Sequence, residues 1–141
     1  MIRIAIIDDQ PIMIQGLSMI LSGLDDMEVV GTGINGEEAI ELISKTLVDV
    51  FLMDIRMPVM DGVEATKRIK EITPDTKILI LTTFNDDAYI FDTLRSGASG
   101  YLLKDAAPEQ IVDAIHTVYK GGTLINPDSA TKMVERLKDD L

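Results

Sequence analysis

Five short apolar runs, each followed by a segment with helical spacing, constrain the fold of this 141-residue chain more than any other feature. The runs cover residues 2–7, 28–31, 50–53, 77–81 and 101–103. Short apolar runs bounded by turn residues are typical of strands that are buried on both faces of a sheet. Strands that alternate with helices form βαβ units with right-handed crossovers. The pattern predicts one α/β domain, a doubly wound, flavodoxin-like (βα)5 fold with a parallel five-stranded sheet. If the strand order is 2-1-3-4-5, the first and third strands flank its switch point.

The segments between the apolar runs carry helix signals. Asn35 followed by Glu38 resembles a capping box, and Pro108 suits the first position of a fifth helix. In the first helix, over residues 12–21, helical spacing predicts inward-facing positions, and these are Ile12, Leu17, Ile20 and Leu21. Beyond Asn126-Pro127 one more helix-like stretch follows, so we expect a domain over 1–122 and a C-terminal helix within 123–141.

Polar residues follow four of the apolar runs directly: Asp8-Asp9 after the first, Asp54 after the third, Thr82 after the fourth and Lys104 after the fifth. In a parallel sheet all carboxyl ends of the strands face one edge, where open α/β folds bind their ligands. Each of these residues alone is more often a cap or a solvated side chain. Their common position at four strand ends predicts one site.

Three carboxylates in one site repel one another, since two unit charges about 4 Å apart interact by about 4 kcal/mol at an effective dielectric of 20. A hard divalent cation relieves this repulsion, and oxygen ligands favour magnesium. No His or Cys lies near the site in the sequence, which disfavours zinc. An Asp carboxylate can also act as a nucleophile that accepts a phosphoryl group. Lys104 and Thr82 could then stabilise the phosphoryl oxygens.

The composition excludes several classes of protein. The chain has 24 acids and 13 bases, a net charge of −11, which argues against nucleic-acid binding by this chain itself. Cysteine is absent, so disulfide scaffolds and cysteine-bound metal sites are excluded. No signal peptide or apolar stretch of membrane-spanning length is visible. We therefore expect a cytoplasmic protein without membrane association.

The motifs at the strand ends resemble those of the receiver domain of two-component response regulators, a CheY-like family. They read IIDDQP, FLMDIRMPVMDG, LTTF and GASGYLLKD, and the resemblance covers residues 1 to about 122. It implies that a sensor histidine kinase phosphorylates Asp54, and that the protein is a switch and not an enzyme with a separate substrate. It further implies that Mg2+ (or Mn2+) is bound by Asp8, Asp9, Asp54 and the backbone carbonyl of Arg56. Lys104 would pair with the phosphate, and Thr82 and Tyr101 would form a switch pair. In that switch Thr82 moves toward the phosphate and Tyr101 turns inward, which changes the surface of the fourth helix, fifth strand and fifth helix.

The stretch from Leu81 to Ala106 is similar to the NarL/LuxR (FixJ) branch of transcriptional regulators. In that branch a linker joins the receiver to a helix-turn-helix domain, so residues 123–141 would be the linker helix and DNA would be bound only by an output domain missing from this chain. The resemblance implies a homodimer on phosphorylation, through the fourth and fifth helices or through the first and fifth. Arg56 and Phe84 occupy variable positions near the acceptor, where we expect them to restrict an attacking water and lengthen the life of the phosphorylated state.

Three alternatives remain open. A stand-alone receiver would act only through protein–protein contacts. A phosphatase of the haloacid dehalogenase type needs a second Asp two residues after the nucleophile, where this chain has Arg56. A flavodoxin-like cofactor binder needs a phosphate loop after the first strand, where this chain has Asp8-Asp9.

Overall fold

A computed structural model describes residues 1–83 and 87–124 and the single residue Glu135. Its strands are β1 (Ile2–Ile7), β2 (Met27–Gly33), β3 (Val50–Met53), β4 (Lys77–Thr82) and β5 (Gly100–Leu103). Its helices are α1 (Pro11–Ser22), α2 (Gly36–Ile43), α3 (Gly62–Ile72), α4 (Asp87–Arg95) and α5 (Pro108–Tyr119). The predicted C-terminal linker helix lies outside the described residues, apart from Glu135, and so does Phe84.

All four strand pairings are parallel, and the sheet order is β2-β1-β3-β4-β5. This confirms the predicted doubly wound fold. Alternate side chains of each central strand point to opposite faces, so that Phe51 and Met53 pack under α2, α3 and α4 while Val50 and Leu52 pack under α1 and α5. The sheet is thus apolar on both faces, as the unbroken apolar runs require.

Helix α1 departs from the sequence prediction. Leu17 and Leu21 are buried as expected, but Ile12 is 77% exposed and Ile20 is 38% exposed. At about 100° per residue, the stripe centred on Leu17 and Leu21 leaves Ile20 at its edge and Ile12 on the far side. The prediction of inward positions for Ile12 and Ile20 was therefore wrong, and α1 presents apolar side chains to solvent.

Helix caps form as the sequence indicated. The Asn35 side chain accepts a hydrogen bond from the Glu38 amide at 2.9 Å, and the Glu38 carboxylate accepts one from the Ile34 amide at 2.8 Å. Among the described residues, no helix combines the length and the apolar character needed to cross a membrane.

Candidate functional site

The carboxyl edge of the sheet brings together the acids that the sequence singled out. One carboxylate oxygen from each of Asp8, Asp9 and Asp54 lies within 4.8 Å of the other two. Asp8 and Asp54 are buried, and Asp9 is exposed. Asp8 and Asp54 follow β1 and β3, whose ends lie side by side because Ile7 pairs with Met53. Adjacent strands at the switch point therefore position the cluster.

Lys104 enters this cluster from the end of β5. Its Nζ lies 2.8 Å from Oδ2 of Asp8 and 3.0 Å from Oδ2 of Asp54, and its side chain is only 6% exposed. Its backbone amide donates to the carbonyl of Thr82 at 2.8 Å, which fixes the root of the side chain. A third acceptor, Oε1 of Gln10, lies 3.0 Å from Nζ. The ammonium is thus held by two carboxylates and one amide.

Burial and charge shift the pKa values of this pair. Burial raises the pKa of Asp54 above its ordinary value, and the charge of Asp8 adds to the rise, although the hydrogen bond and charge of Lys104 oppose it. Burial lowers the pKa of Lys104, but its hydrogen bonds to Asp8 and Asp54 and their charges outweigh that effect and raise it. One ammonium serves two carboxylates, so it cannot fully neutralise either.

The donor set suits a hard cation. The three clustered side chains offer only carboxylate oxygens, which Mg2+ and Mn2+ prefer, and no His or Cys contributes to the cluster among the described residues. Three carboxylates and one ammonium leave two net negative charges at the site when all are ionised. Asp8, Asp9 and Asp54 therefore fit a bound divalent cation.

The loop after Asp54 is tightly constrained. The Ile55 amide donates to Oδ1 of Asp54 at 2.8 Å, and the Gly62 amide donates to the Ile55 carbonyl at 2.7 Å. Between them Val59 has φ +69°, and the Met60 amide donates to the Pro58 carbonyl at 2.7 Å, closing a γ-turn. A β-branched residue rarely adopts this left-handed conformation, so the loop contains local strain.

The start of α3 also ties this loop down. The Asp61 side chain caps the helix by accepting from the Glu64 amide at 2.9 Å. A Cβ on Gly62 would overlap the carbonyl oxygen of Asp54, so only glycine permits this close approach. The close approach of this loop to the start of α3 therefore depends on Gly62.

The remaining predicted residues lie around the site. Thr82 is the last residue of β4 and is buried, and Tyr101 in β5 is packed inward at 4% exposure, while the role of this pair as a switch stays a prediction. The guanidinium carbon of Arg56 lies 4.9 Å from the ring centroid of Tyr89 in α4, so the Arg56 side chain is directed toward that helix. The role of the Arg56 carbonyl stays a prediction.

Sequence reasoning missed two contacts. It gave neither Gln10 nor Tyr89 a role at the site. A signal for Gln10 exists, since glutamine is a poor helix N-cap and Pro11 marks the helix start directly after it. No signal in the sequence indicates the contact between Arg56 and Tyr89.

Comparisons with known proteins agree with this geometry. The family described as "Response regulator receiver domain" matches residues 4–116. Transcriptional regulatory protein LnrK of Bacillus subtilis (strain 168) is 46% identical over 138 residues, covering 98% of this chain and 63% of that protein. Oxygen regulatory protein NreC of Staphylococcus carnosus (strain TM300) is 47% identical over 133 residues, covering 94% of this chain and 61% of that protein. This chain therefore spans about three fifths of the length of these relatives.

Solved structures give the same result. A LuxR-family two-component response regulator from Aurantimonas sp. SI85-9A1 superposes with a TM-score of 0.85 at 31% identity, covering 95% of this chain and 96% of that one. The isolated REC domain of RcsB from Salmonella enterica serovar Typhimurium, solved with the phosphomimetic BeF3−, has a TM-score of 0.80 at 28% identity, covering 94% and 97%. The chain therefore belongs to the response-regulator receiver-domain family, and its relatives are two-component regulators of the NarL/LuxR type.

Proposed function

We propose that this domain is a phosphorylation-activated switch in which Asp54 accepts a phosphoryl group from a sensor histidine kinase. The observation that carries the proposal is the approach of Lys104 to both Asp8 and Asp54, at 2.8 and 3.0 Å, beside a third carboxylate. A nucleophilic carboxylate, further acids for a cation and a fixed ammonium are the parts that phosphoryl transfer needs.

In this transfer a carboxylate oxygen of Asp54 attacks the phosphorus of a phosphohistidine. The new O–P bond forms as the P–N bond breaks, and the electron pair of the broken bond stays on the imidazole nitrogen. Lys104 supplies positive charge to the phosphoryl oxygens, and the Thr82 hydroxyl donates a hydrogen bond to them. A bound Mg2+ would neutralise the charge that develops on the oxygens. The domain assists its own phosphorylation and dephosphorylation and turns over no separate substrate.

The phosphoryl group adds about −1.5 to −2 charges and three strong acceptors beside Thr82. We expect Thr82 to follow these acceptors. Tyr101 was expected to turn inward at this step, but it is already packed inward at 4% exposure, so we expect the movement of Thr82 to fix it there, to change the face formed by α4, β5 and α5 and to favour a homodimer. The relatives are named as transcriptional and oxygen regulatory proteins and are longer than this chain. These names and lengths support a role in regulating transcription. We further expect a cytoplasmic protein whose full-length form binds DNA through a helix-turn-helix output domain.

The test is the intact mass after incubation with acetyl phosphate, with and without Mg2+. We expect one Mg2+-dependent phosphoryl adduct on the wild type and none on Asp54→Asn. Asp61→Asn is the matched control, because it removes a neighbouring carboxylate while an Asn still caps α3. An adduct that persists in Asp54→Asn, or a folded wild type that gains no adduct from either acetyl phosphate or a phosphorylated kinase, would refute the proposal.

A further inference from the structure

The Lys104 ammonium has three N–H donors, and three acceptors surround it. They are Oδ2 of Asp8 at 2.8 Å, Oδ2 of Asp54 at 3.0 Å and Oε1 of Gln10 at 3.0 Å. Two of these acceptors are carboxylates of the acidic cluster, and only the Gln10 amide is neutral. The Gln10 side chain therefore completes the coordination of the ammonium without being part of the cluster itself.

Gln10 is committed to this site and not to its own helix. It is the N-cap residue of α1, with φ −99° and ψ 107°, yet its side chain makes no capping hydrogen bond. Ser, Thr, Asp and Asn are the residues that N-cap positions favour, and Gln is not among them. Its backbone amide donates to Oδ1 of Asp8 at 2.9 Å, while its side chain reaches Lys104, 94 positions along the sequence. The contact with Lys104 therefore explains why glutamine occupies this N-cap position.

The inference about Gln10 rests on the proposed function, in which the carboxylates of Asp8 and Asp54 bind partners other than Lys104. A divalent cation draws on Asp8 and Asp54, and the phosphoryl group forms a bond to Asp54, so the ammonium must give up both carboxylates. The Gln10 carbonyl is the acceptor that can stay. We infer that Gln10 is a positioning residue that holds Nζ of Lys104 while the ammonium moves from the carboxylates to the phosphoryl oxygens.

Without this acceptor the ammonium depends on the carboxylates alone and competes more strongly with the cation for them. A hydrogen bond between a neutral and a charged group affects an equilibrium by about tenfold, and the exposed position of Gln10 lowers this, so we expect Mg2+ affinity to fall about three- to tenfold. The rate of phosphorylation by acetyl phosphate at saturating Mg2+ should fall by a similar factor, because Lys104 is less well placed to meet the incoming charge.

Two variants separate this role from an effect on α1. Gln10→Met keeps the length of the side chain but removes the carbonyl acceptor, and the apo domain should lose only the small contribution of one exposed hydrogen bond to its stability. Gln10→Asn is too short to reach Lys104 but can cap α1, so it should raise the stability of the domain. Both should weaken Mg2+ binding, measured by calorimetric titration with Mg2+ alone, and both should slow phosphorylation, measured by intact mass.

The outcomes are distinct. The inference would be overturned if both variants kept the wild-type Mg2+ affinity and phosphorylation rate. It would also be overturned if Gln10→Asn strengthened Mg2+ binding while Gln10→Met weakened it, because the effect would then follow the stability of α1 and not the lost acceptor. If the wild type binds Mg2+ but gains no phosphoryl group from any donor, the proposed function fails, while the Mg2+ titration of the variants still decides the role of Gln10 toward Lys104. A wild type that binds no Mg2+ would overturn both.

Discussion

Replacing Gly62 with alanine tests how closely the acceptor loop approaches α3. The new Cβ would overlap the carbonyl oxygen of Asp54 and lie 2.9 Å from the Cα of Ile55, and both are backbone atoms that cannot rotate away. Overpacking of this kind costs about 1–3 kcal/mol, and the absence of a movable side chain places Gly62→Ala at the upper end, about 3 kcal/mol. The loop must shift, and the Asp54 carboxylate shifts with it.

The matched control is Gly16→Ala in the middle of α1, where a Cβ would meet no atom within 4 Å. Alanine in a helix interior is more favourable than glycine by about 1 kcal/mol, so the same chemical change should here stabilise the domain. At roughly 3–4 °C per kcal/mol, we expect Gly62→Ala to lower Tm by about 10 °C and Gly16→Ala to raise it by about 3 °C.

The assays are thermal and urea unfolding, both followed by far-UV circular dichroism, and a calorimetric Mg2+ titration of each variant. Gly62→Ala should also weaken Mg2+ binding, because it displaces Asp54, whereas Gly16→Ala should not. A Gly62→Ala variant within about 0.5 kcal/mol of the wild type, inside the range of ordinary surface substitutions, would refute the argument from the close approach.

Three further outcomes follow from single contacts. Val59→Asn should stabilise the domain by about 1 kcal/mol in urea unfolding, because Asn tolerates a positive φ more readily than a β-branched residue, and a loss of stability would contradict the assignment of strain to Val59. A double-mutant cycle of Arg56→Ala and Tyr89→Leu should give a coupling free energy of about 0.5–1 kcal/mol, while simple additivity would show that the ring contact contributes nothing. Burial raises the pKa of Asp54, so its ionisation opposes folding above that pKa. Asp54→Asn should therefore raise the free energy of unfolding at neutral pH without Mg2+. The gain should shrink as pH falls through the raised pKa of Asp54 and vanish only below the ordinary carboxyl pKa of 3.8, which unfolding curves between pH 3 and pH 8 would check.

The sequence predicted the sheet and the strand ends well because both depend on local patterns. An apolar run such as residues 50–53 can be buried on both faces only inside a sheet, and the residue after it must then lie at the carboxyl edge. The meeting of Asp54 with Asp8 and Lys104 follows from strand order alone, although the three are far apart in the chain. The strand order, in turn, was confirmed.

Other features could not be predicted, because they depend on packing between distant segments. Helix α1 contains no charged residue, so its apolar residues lie on all sides and their spacing defines no single buried stripe. Ile12 and Ile20 were assigned inward for that reason. The contact of Gln10 with Lys104 depends on side-chain reach across two loops, and the left-handed conformation of Val59 depends on the hydrogen bonds that close the loop around it.

The charge at the site explains why its moving part must be a side chain. Three carboxylates and one ammonium leave two net negative charges, which a divalent cation would balance. A phosphoryl group then adds about −1.5 to −2 charges. In the proposed phosphorylation no new cation enters with this group, so we expect the Lys104 ammonium to turn from the carboxylates to the phosphoryl oxygens. The backbone amide of Lys104 is held by the Thr82 carbonyl at 2.8 Å, which keeps the strand fixed while the flexible four-carbon stem moves. The strand ends therefore set the geometry of the site, and under the proposed function we expect the change in charge to act first on the side chains of Lys104 and Thr82.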